Sequence, residues 1–187
     1  MVDATPEPPY ENPCIVYKPL DTDGGLERYV SALARTLDAP VYTPRQSIRP
    51  AHFEGVEIRT FGRERATSRL LDRLSLGAVA EVLTYENFEV PARYDAVVTV
   101  GEPAKAVIHQ PHQHRVHLLN MPPRWLFDLG PDRFDGDGIT GFVRRLFQSV
   151  FRAYDASTVR RIDEFVVPSE VIGRRLSTYY DREPAAV

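Results

Sequence analysis

The stretch Asp21-Thr22-Asp23-Gly24-Gly25-Leu26-Glu27-Arg28 joins a short apolar run, Cys14-Ile15-Val16-Tyr17, to a helical pattern. Beyond the glycines, Leu26, Tyr29, Val30, Leu33, Ala34 and Leu37 recur at i, i+3, i+4, i+7, i+8 and i+11, one apolar face at the α-helical period. The unit therefore reads as strand, glycine turn, helix. Such a unit gathers the unbonded N–H groups of a first helical turn and the positive end of the helix dipole at one spot, where an anion such as a diphosphate can be held. Glycine has no Cβ, so a phosphate can come close to the backbone. The same Gly24-Gly25 pair also reads as a plain tight turn, and the rest of the chain has to decide between them.

Downstream, Pro40-Val41-Tyr42-Thr43-Pro44 is a short strand fenced by prolines, and Val56-Glu57-Ile58-Arg59-Thr60-Phe61 alternates as a half-covered strand does. Residues 67–83 carry Leu70, Leu71, Leu74, Leu76, Val79 and Leu83 at helical spacing, with Gly77 as a soft point. Tyr94-Asp95-Ala96-Val97-Val98-Thr99-Val100-Gly101 is the near-continuous apolar run expected of a central parallel strand. A short helix is expected over 102–108 and a strand over 115–119. Residues 139–162 form the longest helical pattern, with Phe142, Val143, Leu146, Phe147, Val150, Phe151 and Tyr154 as a stripe that reads as core. A strand over 164–168 precedes Ser169, an N-cap for a helix over 170–180.

Strands alternating with helices predict an α/β fold, a single Rossmann-like domain whose parallel sheet carries helices on both faces. In such sheets ligands bind beyond the carboxyl ends of the strands, where Gly24, Gly25, Gly101 and Ser169 would lie. Upstream, residues 1–13 hold four prolines and no apolar signal core, and read as a disordered tail before a domain over 14–187.

The totals agree with a soluble globular protein: 187 residues, 43% hydrophobic and 26% charged. A net charge of -3 speaks against a nucleic-acid partner. Of 23 Lys and Arg residues only Lys18 and Lys105 are lysine, a bias that base composition or a salt-rich habitat explains, so arginine clusters say little. The lone Cys14 excludes an internal disulfide and suits a reducing, cytoplasmic compartment. No apolar run approaches the roughly 20 residues that span a bilayer.

His109, His112, His114 and His117 invite a zinc hypothesis, but an extended 115–119 turns His117 away from its even-numbered neighbours, and no metal site is expected. A Gly-x-Ser-x-Gly elbow, a Gly-x-Gly-x-x-Gly fingerprint and a Gly-x-x-x-x-Gly-Lys loop are all missing, which disfavours serine hydrolysis, NAD chemistry and P-loop chemistry.

Four pieces, in order, resemble the N-terminal domain of family 4 glycosyltransferases, retaining enzymes with two facing Rossmann-like domains. Gly24-Gly25-Leu26-Glu27-Arg28 is similar to the family's Gly-Gly-x-Glu-Arg turn. Glu102-Pro103-Ala104-Lys105-Ala106-Val107 resembles its Ala-Lys segment. Val116-His117-Leu118-Leu119-Asn120-Met121-Pro122-Pro123-Arg124-Trp125-Leu126-Phe127-Asp128 looks like the stretch His-Ser/Thr-Pro-x-Arg-Tyr-x-x-Asp of mannosyltransferase-like members. Arg161-Ile162-Asp163-Glu164-Phe165-Val166-Val167-Pro168-Ser169-Glu170 is similar to the segment that closes that domain.

The resemblance implies the acceptor side of a sugar transferase, with Gly24 and Gly25 offered to the donor diphosphate. Lys105, Pro122, Arg124, Ser169 and Glu170 would line the cleft. It implies no cofactor, only a nucleotide sugar as substrate and a glycan or lipid-linked acceptor. Asn120 stands at the family's His position and Met121 at its Ser/Thr, so the catalytic position has a side chain that takes up no proton at neutral pH. The family's C-terminal donor domain is absent, and activity is expected only with such a domain supplied by another chain. The alternative is a non-catalytic binding or regulatory module that pairs with another protein or itself. Arg144, Arg145, Arg152, Arg160 and Arg161 read either as a solvated face or as a peripheral contact with an anionic membrane.

Overall fold

The structure, a computed structural model, describes residues 10–62, 77–124, 126–127 and 138–187. Among the described residues the strands are β1 (Pro13–Tyr17), β2 (Val41–Thr43), β3 (Ile58–Thr60), β4 (Ala96–Val100), β5 (His114–Leu118) and β6 (Glu164–Val166). The helices are α1 (Gly25–Thr36), α2 (Gly77–Glu86), α3 (Gly138–Val159) and α4 (Glu170–Tyr180), with 3₁₀ turns at Ala51–Phe53 and Glu102–Ala106. The strands make one sheet in the order β3-β2-β1-β4-β5-β6. The pairs β1–β2, β2–β3, β1–β4 and β5–β6 are parallel. This is the α/β, Rossmann-like arrangement that the alternation of elements predicts.

The chain divides into two compact units, residues 1–114 and 115–187. In the first, β1 and β4 are buried along their whole length, in keeping with their near-continuous apolar sequences, which only Thr99 of β4 interrupts. Chain progress reverses between them: β1 leads outward to β2 and β3, and the next strand, β4, returns to the other side of β1. With right-handed crossovers, the β1–β2 and β3–β4 connections, carrying α1 and α2, lie on opposite faces. In parallel sheets such a reversal is where ligands bind, past the carboxyl ends of β1 and β4, whose last residues, Tyr17 and Val100, are register partners.

Three expectations change here. Residues 10–13, expected to belong to the tail, are tied to the domain: Pro13 opens β1 and the N–H groups of Glu11 and Asn12 bond to the Asp95 carboxylate at 2.7 and 3.1 Å. Tyr10 stacks on His114 with ring centroids 5.5 Å apart. The buried side of α1 is Glu27, Val30, Ser31 and Ala34, whereas Tyr29 of the apolar stripe is exposed. Burial has rotated the helix toward Glu27, because that carboxylate has buried partners at the end of β1. The expected helix over 67–83 is seen as α2 from Gly77 onward, and its residues 67–76 lie outside the described residues.

In the second unit, β5 and β6 pair through Val116↔Glu164, His117↔Phe165 and Leu118↔Val166. Leu119, Val159, Ile162, Phe165, Val167, Ile172 and Leu176 form its core, with Tyr180 packed against it. Arg115 clamps Asp163 through Nε and Nη2, each bond 2.9 Å, while its own N–H bonds to the same carboxylate. Ser169 caps α4 as predicted, its Oγ accepting from the Ile172 N–H at 3.4 Å. Asp181, at φ +53°, ends the helix in the left-handed region. Past it, Ala185 donates to the Phe165 carbonyl and Val167 to the Ala186 carbonyl, alongside β6.

The stripe on α3 is not core. Phe142, Leu146 and Val150 are 62%, 54% and 58% exposed, and Phe147 is exposed as well. The buried side is the polar one. Gln148 donates to the Leu126 carbonyl at 3.0 Å, Tyr180 to the Asp155 carboxylate at 2.5 Å and Thr158 to the Asp155 carbonyl at 2.7 Å. Helical period identifies an apolar face, but it does not say what that face meets.

Candidate functional site at the turn between β1 and α1

The site is built on the end of β1 and the start of α1. Gly24 is the N-cap, in ordinary extended conformation (φ −143°, ψ −169°), and Gly25 opens the helix. The first N–H groups of any helix have no partner within it. Here the Glu27 carboxylate bonds to its own N–H, and the N–H groups of Gly25 and Leu26 have no acceptor among the described residues. Two donors at the positive end of the helix dipole thus stay available for an anion.

The two glycines are there for different reasons. A Cβ on Gly24 would lie 3.0 Å from the Glu27 Oε2, so packing against the carboxylate leaves little room for a side chain. Beside Gly25 there is no heavy atom within 4 Å of the Cβ position. That open space adjoins the free N–H groups. Neither residue has a positive φ, so the pair is not a left-handed turn.

Glu27, 2% exposed, is the hub that sequence inspection missed. Its Oε1 accepts from the Tyr17 hydroxyl at 2.9 Å and the Thr22 hydroxyl at 2.8 Å, and lies 3.1 Å from the Lys18 Nζ. Burial alone would raise its pKa, but the Thr22 hydroxyl, its own N–H, Tyr17 and Lys18 together bring it down to about 2. Burial, followed by the hydrogen bond to Glu27, pushes the Tyr17 phenol above its usual range, so Tyr17 stays a donor. A signal for Glu27 existed: an acidic residue at the third position of a helix commonly caps it.

The remaining acids around the turn are also tied down. Asp21 accepts from Arg45 and, at 2.5 Å, from the Ser47 hydroxyl; the Arg45 bond holds its carboxyl below the ordinary range. Asp23 lies 3.4 Å from the His52 Nδ1. Glu81 on α2 is pushed up by burial, with Asp21 adding and Arg45 and Lys18 opposing. With Asp21, Asp23 and Glu27 engaged by neighbours, the field at Gly25 is set less by loose carboxylates than the acidic sequence suggests.

From the β4 side, Gly101 sits at φ +92°, a conformation only glycine adopts freely, and its Cβ position is 3.5 Å from the Lys18 Cβ. The short helix expected over 102–108 is a 3₁₀ helix, Glu102–Ala106. Lys105 is 3% exposed, with Nζ 2.6 Å from Glu102 Oε2. A buried, paired ammonium is a support for the turn more than a cleft-lining charge.

Of the eight residues singled out in sequence, Gly24, Gly25 and Lys105 thus belong to the first unit. The other five belong to the second: exposed Asn120, buried Pro122 and exposed Arg124 follow β5, and Ser169 and exposed Glu170 follow β6. As β5 and β6 are parallel, these five share one end of their pair. Ser169 Oγ is engaged in the helix cap. His112 bonds to the Ala92 carbonyl at 2.9 Å, and His117 is buried edge-on to Phe165. Among the described residues no three His, Cys, Asp or Glu side chains gather as a metal set, and no helix is long and apolar enough to cross a membrane.

No protein-family model matches the chain, and no curated protein does either.

Proposed function

We propose that this chain is the acceptor-side half of a glycosyltransferase that moves a sugar from a nucleotide-sugar donor, and that the β1–α1 turn receives the donor diphosphate. One observation carries the reading: the N–H groups of Gly25 and Leu26 have no acceptor among the described residues, and the Cβ position of Gly25 is open, beyond the carboxyl end of β1 where parallel sheets of this order bind ligands. Preorganised N–H donors stabilise the negative charge that grows on a departing diphosphate, and they do so without reorganising during the reaction. Lys18, partly exposed and reaching Glu27 from the end of β1, adds a positive charge beside the turn. The resemblance of Gly24-Gly25-Leu26-Glu27-Arg28 and of the three later segments to family 4 enzymes supports the same assignment. On this reading a donor-side domain completes the site, Asn120, Pro122, Arg124, Ser169 and Glu170 serve the acceptor side, and the acceptor is a glycan or a lipid-linked sugar reached from the cytoplasm.

A second reading, a binding module without catalysis, is favoured by the exposed apolar stripe Phe142, Leu146 and Val150, a surface of the kind that pairs with another protein.

Calorimetric titration of the chain with nucleoside diphosphates and a panel of nucleotide sugars tests the first reading, with Gly25→Ala beside it. Alanine meets no atom within 4 Å at position 25, so the variant folds normally while its methyl group stands in the anion's path. Millimolar binding by the wild type, lost in the variant, is the expected result. Equal binding by both, or none by the wild type, overturns the assignment, and sugar transfer by the chain would eliminate the second reading.

A further inference from the structure

Where β2 and β3 adjoin the turn that leads into β4, two buried phenols and two guanidiniums converge. Tyr42 and Tyr94 are 6% and 2% exposed, and their hydroxyl oxygens are 3.0 Å apart. Arg59 Nη1 lies 3.0 Å from each of them. Arg93 Nη2 lies 3.1 Å from Tyr42 and 2.7 Å from Tyr94. Register explains half of this, because Tyr42 on β2 is the partner of Arg59 on β3. Arg93 and Tyr94 come from the turn that leads into β4.

The cluster has more hydrogens than acceptors. Each of the two guanidinium nitrogens bears two hydrogens, and each neutral phenol bears one, whereas the only oxygens are the two hydroxyls, with two lone pairs each. If each guanidinium nitrogen gives one N–H to each phenol, all four lone pairs are occupied before the phenols bond to one another. The bond between the phenols makes one oxygen an acceptor for three hydrogens, and the other phenol hydrogen still has no acceptor in the group. The charges are also unbalanced: Glu57 accepts from Arg59 at 2.7 Å, but Arg93 meets no carboxylate among the described residues. The nearby Asp95 carboxylate is turned to the Glu11 and Asn12 N–H groups. Burial, followed by the bond to Tyr42, raises the Tyr94 pKa, so Tyr94 does not resolve the excess by ionising.

We infer that Arg93, Arg59, Tyr42 and Tyr94 form a binding site for a small oxyanion, a phosphate or a carboxylate group. The anion would take the surplus phenol hydrogen and the Nε and Nη1 hydrogens of Arg93, which is exposed and has no described partner at those atoms. It would also offset the mutual repulsion of two cations that share the same two oxygens. This site shares no residue with the glycine turn and does not depend on the function proposed for that turn.

The test is thermal unfolding of the full chain in inorganic phosphate, in acetate and in chloride of matched ionic strength, with tyrosine difference absorbance as a second readout. Phosphate or acetate should raise Tm above chloride and perturb the tyrosine band, and whichever does so identifies the source. In Arg93→Gln, apparent affinity should fall at least tenfold, and Tyr94→Phe should weaken it and reduce the spectral change. The proposal fails if neither anion exceeds chloride, or if Arg93→Gln binds as the wild type does. Should Arg93→Gln not fold, the Tyr94→Phe spectrum decides: an unaltered anion response there also overturns the site.

Discussion

Tyr17 donates its hydroxyl hydrogen to Glu27 at 2.9 Å, linking the last residue of β1 to the first turn of α1 across the loop that holds Gly24 and Gly25. The loop is therefore anchored from below by a buried carboxylate with three further partners: Thr22, Lys18 and its own N–H. Losing that carboxylate should loosen the turn and lower stability together.

Glu27→Gln should reduce unfolding free energy at neutral pH by on the order of 3 kcal/mol, the equivalent of the carboxyl's displacement from its ordinary value to about 2. The sign follows from the downward shift. The contribution is complete above the unfolded-state value and is lost as pH falls from about 4.5 toward about 2. Urea unfolding at neutral and acid pH should show the wild type approaching the variant in that window; parallel curves would contradict the assignment.

Glycines should differ sharply in tolerance. At Gly62 a Cβ would stand 2.0 Å from the Pro44 carbonyl oxygen, a clash with backbone that cannot move aside. Gly62→Ala should cost at least about 2 kcal/mol, and Gly101→Ala about 1–2 kcal/mol from its positive φ. Gly25→Ala should change stability by less than about 0.5 kcal/mol. Thermal melts of the three variants check the order.

Cys14 is fully buried in β1, and burial pushes its thiol up to about 12. Thiolate is the reactive form. A disulfide reagent at neutral pH should therefore leave the native thiol essentially unmodified for hours and titrate one thiol per chain in denaturant. Rapid labelling of the folded protein would contradict the buried position.

On α3, Leu146→Ser with Val150→Ser should alter monomer stability by less than about 1 kcal/mol, because both side chains already face solvent. Phe165→Ala, from the core of the same unit, should cost about 3–5 kcal/mol. Chemical denaturation of the two variants separates the faces. A large loss in the serine variant would mean that the stripe is covered in solution.

The sequence by itself was enough for the α/β class, for β4 as a wholly buried strand, for α4 and its Ser169 cap, and for the strand-turn-helix unit around Gly24-Gly25. These are local properties: apolar period, cap chemistry and glycine placement act within a few residues of one another. Only the tertiary structure decided that the chain reverses between β1 and β4, that α1 turns Glu27 inward, that Lys105 is buried against Glu102 and that the α3 stripe faces outward. Each of those depends on what another segment places opposite the residue, and apolar period carries no information about the partner. The glycine pair shows both at once. Its position in a turn is legible from sequence, but that Gly24 makes room for Glu27 while Gly25 opens onto unfilled space beside unpaired N–H groups is a matter of packing alone.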